Sequence, residues 1–159
     1  MPTINPSDRE ITVTVKANEL FNETNYPPTE TQMDDNTSLL EDGGLESGYG
    51  DPNKDFETLV FMNRRICWSI EASDPNGVDR GYTVALKEVF HNPTPPTNPN
   101  FFNQDPLTVN PGTGKVCGNI TNSPILPDMD DNYTIQFSIA HGTTTKTYNL
   151  DPKLRIKTT

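Results

Sequence analysis

The sequence predicts an all-β fold: a single antiparallel β-sandwich of the immunoglobulin-like or jelly-roll-like Greek-key type, spanning residues 1–159. Three observations predict it. Eight or nine short segments alternate apolar and polar residues with the period of two that a half-buried strand requires. Turn signals such as Asp74-Pro75-Asn76-Gly77 separate them. No segment shows the 3.6-residue period of an amphipathic helix, which excludes a helical bundle.

The alternation is clearest at the two ends of the chain. Ile11, Val13 and Val15 alternate with polar residues in the first strand, and Tyr133 begins the longest alternating run, which continues to residue 140. Trp68, in phase with two isoleucines, is expected in the core. The predicted strands are residues 10–17, 56–61, 66–71, 82–90, 107–109, 115–121, 133–140, 144–150 and 153–157.

Residues 19–55 interrupt the strand pattern. Ten acidic residues stand there against Lys54 alone, so this segment carries −9 of the net charge of −10. Such a stretch buries too little apolar surface to offset its ordering entropy, and we expect a long acidic loop insertion that is mobile or is ordered by a partner, an ion or a neighbouring subunit. The negative charge argues against nucleic acid or an anionic membrane as a partner.

A second loop, residues 91–106, is rich in proline and asparagine and carries Phe101 and Phe102. Two interpretations stay open for these large apolar side chains. They pack over the edge of the sandwich as a satellite cluster, or they are interaction residues that contact another subunit or a ligand.

One acidic pattern suggests a metal. Asp128, Asp130 and Asn132 match the opening of a calcium loop, in which alternate oxygens point inward. Tyr133 then stands where such a loop requires glycine, and Ile139 where it requires a bidentate glutamate. The alternative is turn chemistry alone, since Asp and Asn favour turns. Scattered His and Cys fit neither copper nor zinc, so no other cofactor is expected.

Catalytic patterns are absent from the sequence. It contains no Gly-x-Ser-x-Gly and no phosphate-binding loop, and its two histidines lie apart, so we expect no enzyme. Cys67 and Cys117 are expected to be two reduced thiols rather than a disulfide. The first residues lack a secretory signal, and no apolar run reaches the roughly 18 residues of a membrane span, so a cytoplasmic protein without membrane insertion is expected.

Residues 56–157 follow a layout known from one family. Ile66-x-Trp68 lies in one strand, a Pro/Asn-rich loop follows the next long strand, and the last strand is Asp151-Pro152-Lys153-Leu154-Arg155-Ile156. In this the chain resembles the bacterial inclusion-body family of AidA/PixA-like proteins, whose pattern is Gly-Asp-x-Ile-x-Trp, a Pro/Asn-rich loop and Asp-Pro-x-Ile-x-Ile. Asn63-Arg64 stands where that family has Gly-Asp. The resemblance implies a cytoplasmic, all-β, non-catalytic protein that accumulates or assembles, and it carries over no active-site residue.

Two functions follow as hypotheses. The first is a non-enzymatic structural protein that self-associates, in the manner of an inclusion-body protein. The second is a ligand-binding β-sandwich module for carbohydrate, with a glycan held by loop acids, asparagines and aromatic residues, with or without calcium. Because the net charge is −10, self-association should strengthen when salt or a divalent cation screens the repulsion.

Overall fold

The computed structural model describes residues 8–92, 99–121 and 130–156. Within them the chain is mainly β, as predicted, with two short α-helices and one 3₁₀ turn at Asn53–Asp55. The helices are α1 (Ala17–Phe21) and α2 (Glu30–Asn36). The strands are β1 (Arg9–Val15), β2 (Thr37–Glu41), β3 (Glu46–Ser47), β4 (Glu57–Val60), β5 (Arg65–Ala72), β6 (Tyr82–His91), β7 (Leu107–Thr108), β8 (Val116–Asn119), β9 (Asp130–His141), β10 (Thr144–Leu150) and β11 (Lys153–Ile156).

The strands form two mixed sheets. The first has the order β3-β2-β1-β5-β8, and the second has the order β4-β11-β9-β6-β7, with β10 also paired to β9. Two pairs, β1 with β5 and β4 with β11, are parallel, so the expectation of purely antiparallel sheets is wrong. Parallel neighbours need a long crossover connection, and alternation within a strand carries no information on the direction of its neighbour.

One hydrophobic core receives side chains from both sheets. Ile11, Val13 and Val15 of the first sheet are fully buried, as the alternation predicts. Trp68, also in the first sheet, is fully buried too, and its indole Nε1 donates a hydrogen bond to the hydroxyl oxygen of Tyr133 in the second sheet at 3.1 Å. Burial raises the pKa of Tyr133 well above its ordinary value, so this hydroxyl stays neutral. This hydrogen bond therefore gives the buried indole N–H of Trp68 an acceptor and the buried hydroxyl of Tyr133 a donor.

Residues 19–55 are not the long acidic loop expected from the sequence. They contain most of α1 and all of α2, β2 and β3. Strand β2 pairs antiparallel with β1, and α2 begins at a capping box in which Thr29 and Gln32 exchange side-chain-to-backbone bonds. Met33 and Leu39 are buried in the core. The chain itself orders this segment, through backbone pairing and a few apolar side chains spaced too widely to give a periodic signal.

Cys67 and Cys117 form a disulfide, so the expectation of two reduced thiols is wrong. They lie directly opposite each other where β5 pairs antiparallel with β8, and their Cα atoms are 4.1 Å apart. The sequence alone does not show that residues 50 positions apart become cross-strand neighbours.

We expect Tyr133→Phe to lower the free energy of unfolding by about 1–3 kcal/mol, because it leaves the buried Trp68 Nε1 without an acceptor. Trp68→Ala removes the whole ring and should cost about 3–5 kcal/mol. Urea denaturation measures both values. Tyr49→Phe is the matched control, since Tyr49 is 39% exposed. An unchanged midpoint for Tyr133→Phe would show that this bond contributes nothing to stability.

The double variant Cys67→Ala/Cys117→Ala should be less stable than the oxidised parent by about 2–4 kcal/mol, because the disulfide restricts the unfolded chain. Urea denaturation of both proteins measures the difference. Alkylation without reductant, followed by mass spectrometry, tests the bond directly, and two alkylated cysteines in the native protein would contradict it. Disulfides are rare in a reducing cytoplasm, so alkylation in freshly lysed cells also tests the cytoplasmic expectation.

Candidate functional site

The outer strands of the two sheets offer the most distinctive surface, because an edge strand presents backbone groups that a partner strand can bind. On one side of the molecule, the outer strand β8 of the first sheet is covered by the segments around β7. Isolated bridges join Phe102 to Ile120 and Val109 to Val116, so the segments around β7 lie along β8. This contact links the end of the first sheet to the end of the second.

On the opposite side, an arginine bridges the two sheets. Arg9 of β1 donates from Nε to the carbonyl oxygen of Leu59 in the edge strand β4 at 3.2 Å. The same Nε lies 3.5 Å from a carboxylate oxygen of Glu41, and the guanidinium lies 5.5 Å from the centre of the Phe61 ring. This charged, bulky side chain lies against the edge strand β4 and hinders the approach of another chain there.

Strand β10, with seven residues, is the longest edge strand in the described part of the chain. A two-residue turn with Gly142 at φ 61° joins it to β9, and Thr144 faces His141 beside that turn. The hydrogen-bonded pairs alternate from there, so the backbone groups of Thr145, Thr147 and Asn149 face away from β9. These three residues form what we call the β10 edge.

Tyr26 caps the middle of the β10 edge. Its hydroxyl accepts a hydrogen bond from the amide N–H of Thr147 and donates one to the carbonyl oxygen of Thr147, both at 3.0 Å. One phenol thus satisfies both backbone groups of one edge residue. Among the described residues, it is the one hydrogen-bonding partner of the backbone groups on the β10 edge.

The cap is held by aromatic and cationic contacts. The Tyr26 ring meets the Tyr148 ring edge-on, with the ring centres 5.9 Å apart. Lys146 Nζ lies 5.5 Å from the centre of the Tyr26 ring. The same Nζ donates a hydrogen bond to the carbonyl oxygen of Phe21 at 2.8 Å. Burial raises the pKa of Tyr148 to about 12. Tyr26 itself is 54% exposed, so few contacts besides these hold it in place.

The predicted calcium residues are only partly within the described structure, and the calcium site stays a prediction. Asp128 lies outside the described residues. Asp130 and Asn132 lie at the beginning of β9, where the Arg155 guanidinium comes within 4.0 Å of an Asp130 carboxylate oxygen. In the described part of the chain, no three His, Cys, Asp or Glu side chains are grouped so that they could hold a metal ion.

Phe101 and Phe102 are buried, at 0% and 5% exposure, so the packing alternative describes their place in the structure. A carboxylate that we did not single out in the sequence holds this loop: buried Asp131 accepts from the amide of Phe101 at 3.0 Å and lies 3.2 Å from His91 Nδ1. Neither ring lies on the surface, where a ligand or second subunit would need it.

A polar cleft of about 330 Å³ lies at the end of β10. Its lining includes Asp34, Asn53, Asn149 and Asp151 and contains no aromatic side chain. The cleft thus lacks the aromatic residues on which the carbohydrate hypothesis depends. In the described part of the chain, no helix has the length and apolar character needed to cross a membrane.

Three carboxyl groups, one in α2 and two in strands, have raised pKa values. Burial is the main cause at Asp34, Glu41 and Glu57. The neighbouring carboxyl of Asp130 raises the pKa of Glu57 further, against the opposing effect of Arg155. Each of these groups therefore holds its proton to a higher pH in the folded than in the unfolded chain.

Comparison with known proteins gives a likeness of fold. No family model and no curated protein matches the sequence. Among solved structures, the chain is similar to the crystal structure of an inclusion body protein, PixA, from Burkholderia cenocepacia. The TM-score is 0.60 at 11% sequence identity, and the alignment covers 97% of this chain and 99% of that one. The resemblance stated from the sequence is thereby confirmed at the level of the fold.

The raised carboxyl pKa values predict a pH dependence of stability. The folded state binds more protons than the unfolded state, so the contribution of these groups to stability falls as pH rises from their ordinary range near 4 through their raised folded values. Glu57→Gln should give a shallower loss of stability than the parent as the pH rises above 4.5, the ordinary pKa of a glutamate, measured by urea denaturation. The exposed Glu19→Gln is the matched control. Equal pH profiles for Glu57→Gln and the parent would contradict the assignment.

Proposed function

We propose that this chain is a non-enzymatic structural protein that associates with copies of itself. The observation that carries the proposal is the β10 edge, a run of outward-facing backbone groups on a seven-residue edge strand with one capping side chain. An exposed edge strand presents a row of backbone groups that can pair with another chain. The likeness to a protein named for inclusion bodies, over almost the full length of both chains, supports the same role.

We further propose that the two sheets pack face to face as a sandwich. The hydrogen bond from Trp68 to Tyr133 crosses between the sheets, and the core combines residues of both. Phe102 supports this arrangement, since its ring meets both the Trp68 ring and the Tyr133 ring edge-on with centres 5.9 Å apart. In a sandwich, the outer edges rather than the inner faces remain for contact with other copies.

Charge opposes this association. The net charge is −10, and seven of the ten acidic side chains between residues 19 and 55 are exposed. Two copies therefore repel one another at low ionic strength, and the repulsion falls as the Debye length shortens from about 30 Å at 0.01 M salt to about 8 Å at 0.15 M. Backbone pairing between edge strands depends much less on salt than this repulsion does.

We expect the purified chain to form dimers or larger species as its concentration rises, and to form more of them at higher salt. Size-exclusion chromatography with light scattering, at several protein concentrations in low and moderate salt, measures both effects. A strict monomer under all conditions would overturn the proposal. An assembly that dissolves on addition of salt would instead show that attraction between opposite charges holds it together.

A further inference from the structure

The β10 edge is complementary to itself. Thr145, Thr147 and Asn149 have their backbone groups directed outward at even spacing. Two antiparallel copies of such a strand, related by a two-fold axis through Thr147, place Thr147 opposite Thr147 and Thr145 opposite Asn149. Each of the three pairs exchanges two N–H···O bonds, so about six hydrogen bonds form. The spacing of the edge thus fits a second copy of β10.

We propose that two copies of this chain pair through their β10 strands in this register. The Tyr26 hydroxyl must release the backbone of Thr147 before the two strands can pair. The inference rests on the proposed self-association and names its interface. The occupant of the edge is a second copy of this chain. Pairing across a two-fold axis is isologous, and it closes a dimer at this edge.

The side chains favour this register. Lys146 is the one charged residue in β10, and in the symmetric pair it stands opposite Tyr148 rather than opposite a second lysine. The Tyr148 ring is buried in its own chain, so this register places no like charge opposite Lys146, and like charges directly opposite are destabilising. The strand contains no acidic residue, so the interface avoids the negative charge that dominates the rest of the chain.

Tyr26 competes with the second copy for the same backbone groups. The caps of the two copies together provide four hydrogen bonds, two to each Thr147, whereas pairing of the two strands provides about six along the edge. Residues 24–27 are exposed, and the hydroxyl and the ring of Tyr26 contact the edge. The cap therefore disfavours pairing without blocking it permanently.

Tyr26→Phe tests the competition, because it removes the hydroxyl and keeps the ring. The concentration at which half of the chain is associated should fall at least about thirtyfold, because each of the two pairing copies loses the two hydrogen bonds of its cap. Tyr49→Phe removes a phenol hydroxyl that has no described contact with an edge strand, and it should leave that concentration unchanged. Sedimentation velocity over a concentration series, at moderate salt, measures all three proteins.

Thr145→Pro in the Tyr26→Phe background tests the edge itself. Proline is tolerated on an edge strand where the N–H faces outward, and it removes one donor from the proposed pairing. We expect association to return to the parent level or below. Circular dichroism melting checks that the variant folds, and a second test by cross-linking does not depend on proline.

Cysteine cross-linking tests the proposed register of the two β10 strands directly. In the Tyr26→Phe background, Thr147→Cys places two cysteines opposite each other across the axis, with Cα atoms about 5.5 Å apart, within disulfide range. Thr145→Cys is the matched control, since its opposite residue is Asn149. The native cysteines are already joined to each other. Under mild oxidation, a non-reducing gel should show covalent dimer for Thr147→Cys and much less for Thr145→Cys.

The outcomes separate this inference from the proposed function. If the parent associates but Tyr26→Phe and Thr145→Pro leave association unchanged and Thr147→Cys does not cross-link, the β10 interface is wrong and self-association stands. If both cysteine variants cross-link equally, the register is wrong. If the parent and Tyr26→Phe both stay monomeric at all concentrations, both proposals are overturned.

Discussion

The parallel pairing of β1 with β5, in the middle of the first sheet, is the constraint on which the rest of the structure depends. From Arg9 opposite Ile66 to Val15 opposite Ala72 the two strands run in the same direction, so the chain must cross back to the starting end between them. Residues 16–64 are that crossover. They add β2 and β3 on the far side of β1, provide β4 to the second sheet, and carry Tyr26 to the edge of β10. What reads in the sequence as an acidic excursion is therefore the connection that brings the two sheets together.

The strands that bury one face were predictable from the sequence, and the parts that depend on distant contacts were not. The alternation at Ile11–Val15 and from Ile135 onward is visible because each buried residue is followed by an exposed or half-buried one. Helix α2 and strand β2 bury few apolar side chains between acidic ones, which leaves no periodic pattern to detect. The disulfide depends on the β5–β8 register, which no local sequence signal specifies.

The backbone conformation of Asn63 supports the resemblance stated from the sequence. Asn63 has φ 64°, a left-handed conformation that glycine adopts most easily and that asparagine tolerates better than most residues. It stands where the inclusion-body pattern has glycine. The same backbone turn can thus precede the Trp68 strand although the residue differs. A comparison of residue types alone does not show that asparagine can replace glycine at this position. The backbone conformation of Asn63 explains why it can.

The candidate site could not be predicted from the sequence either, because it depends on a contact between distant residues. Tyr26 and Thr147 are 121 positions apart, and a lone tyrosine in a polar loop gives no sign that it caps a strand. Phe101 and Phe102 drew attention as apolar residues in such a loop, yet they are part of the core. The Asp130 carboxylate has an arginine close by, and a neighbouring cation weakens the attraction of a carboxylate for a metal ion.

A hydroxyl differs physically from the other devices that protect edge strands. A proline removes a donor for good, and a charge repels any strand that approaches. A phenol hydroxyl donates one hydrogen bond and accepts another, so it satisfies both backbone groups of Thr147 while leaving those of Thr145 and Asn149 directed outward. Each such bond contributes only about 0.5–1.5 kcal/mol net, because water replaces it when the cap leaves. The proposed pairing therefore has to replace the four hydrogen bonds of the two caps with the full set along the edge.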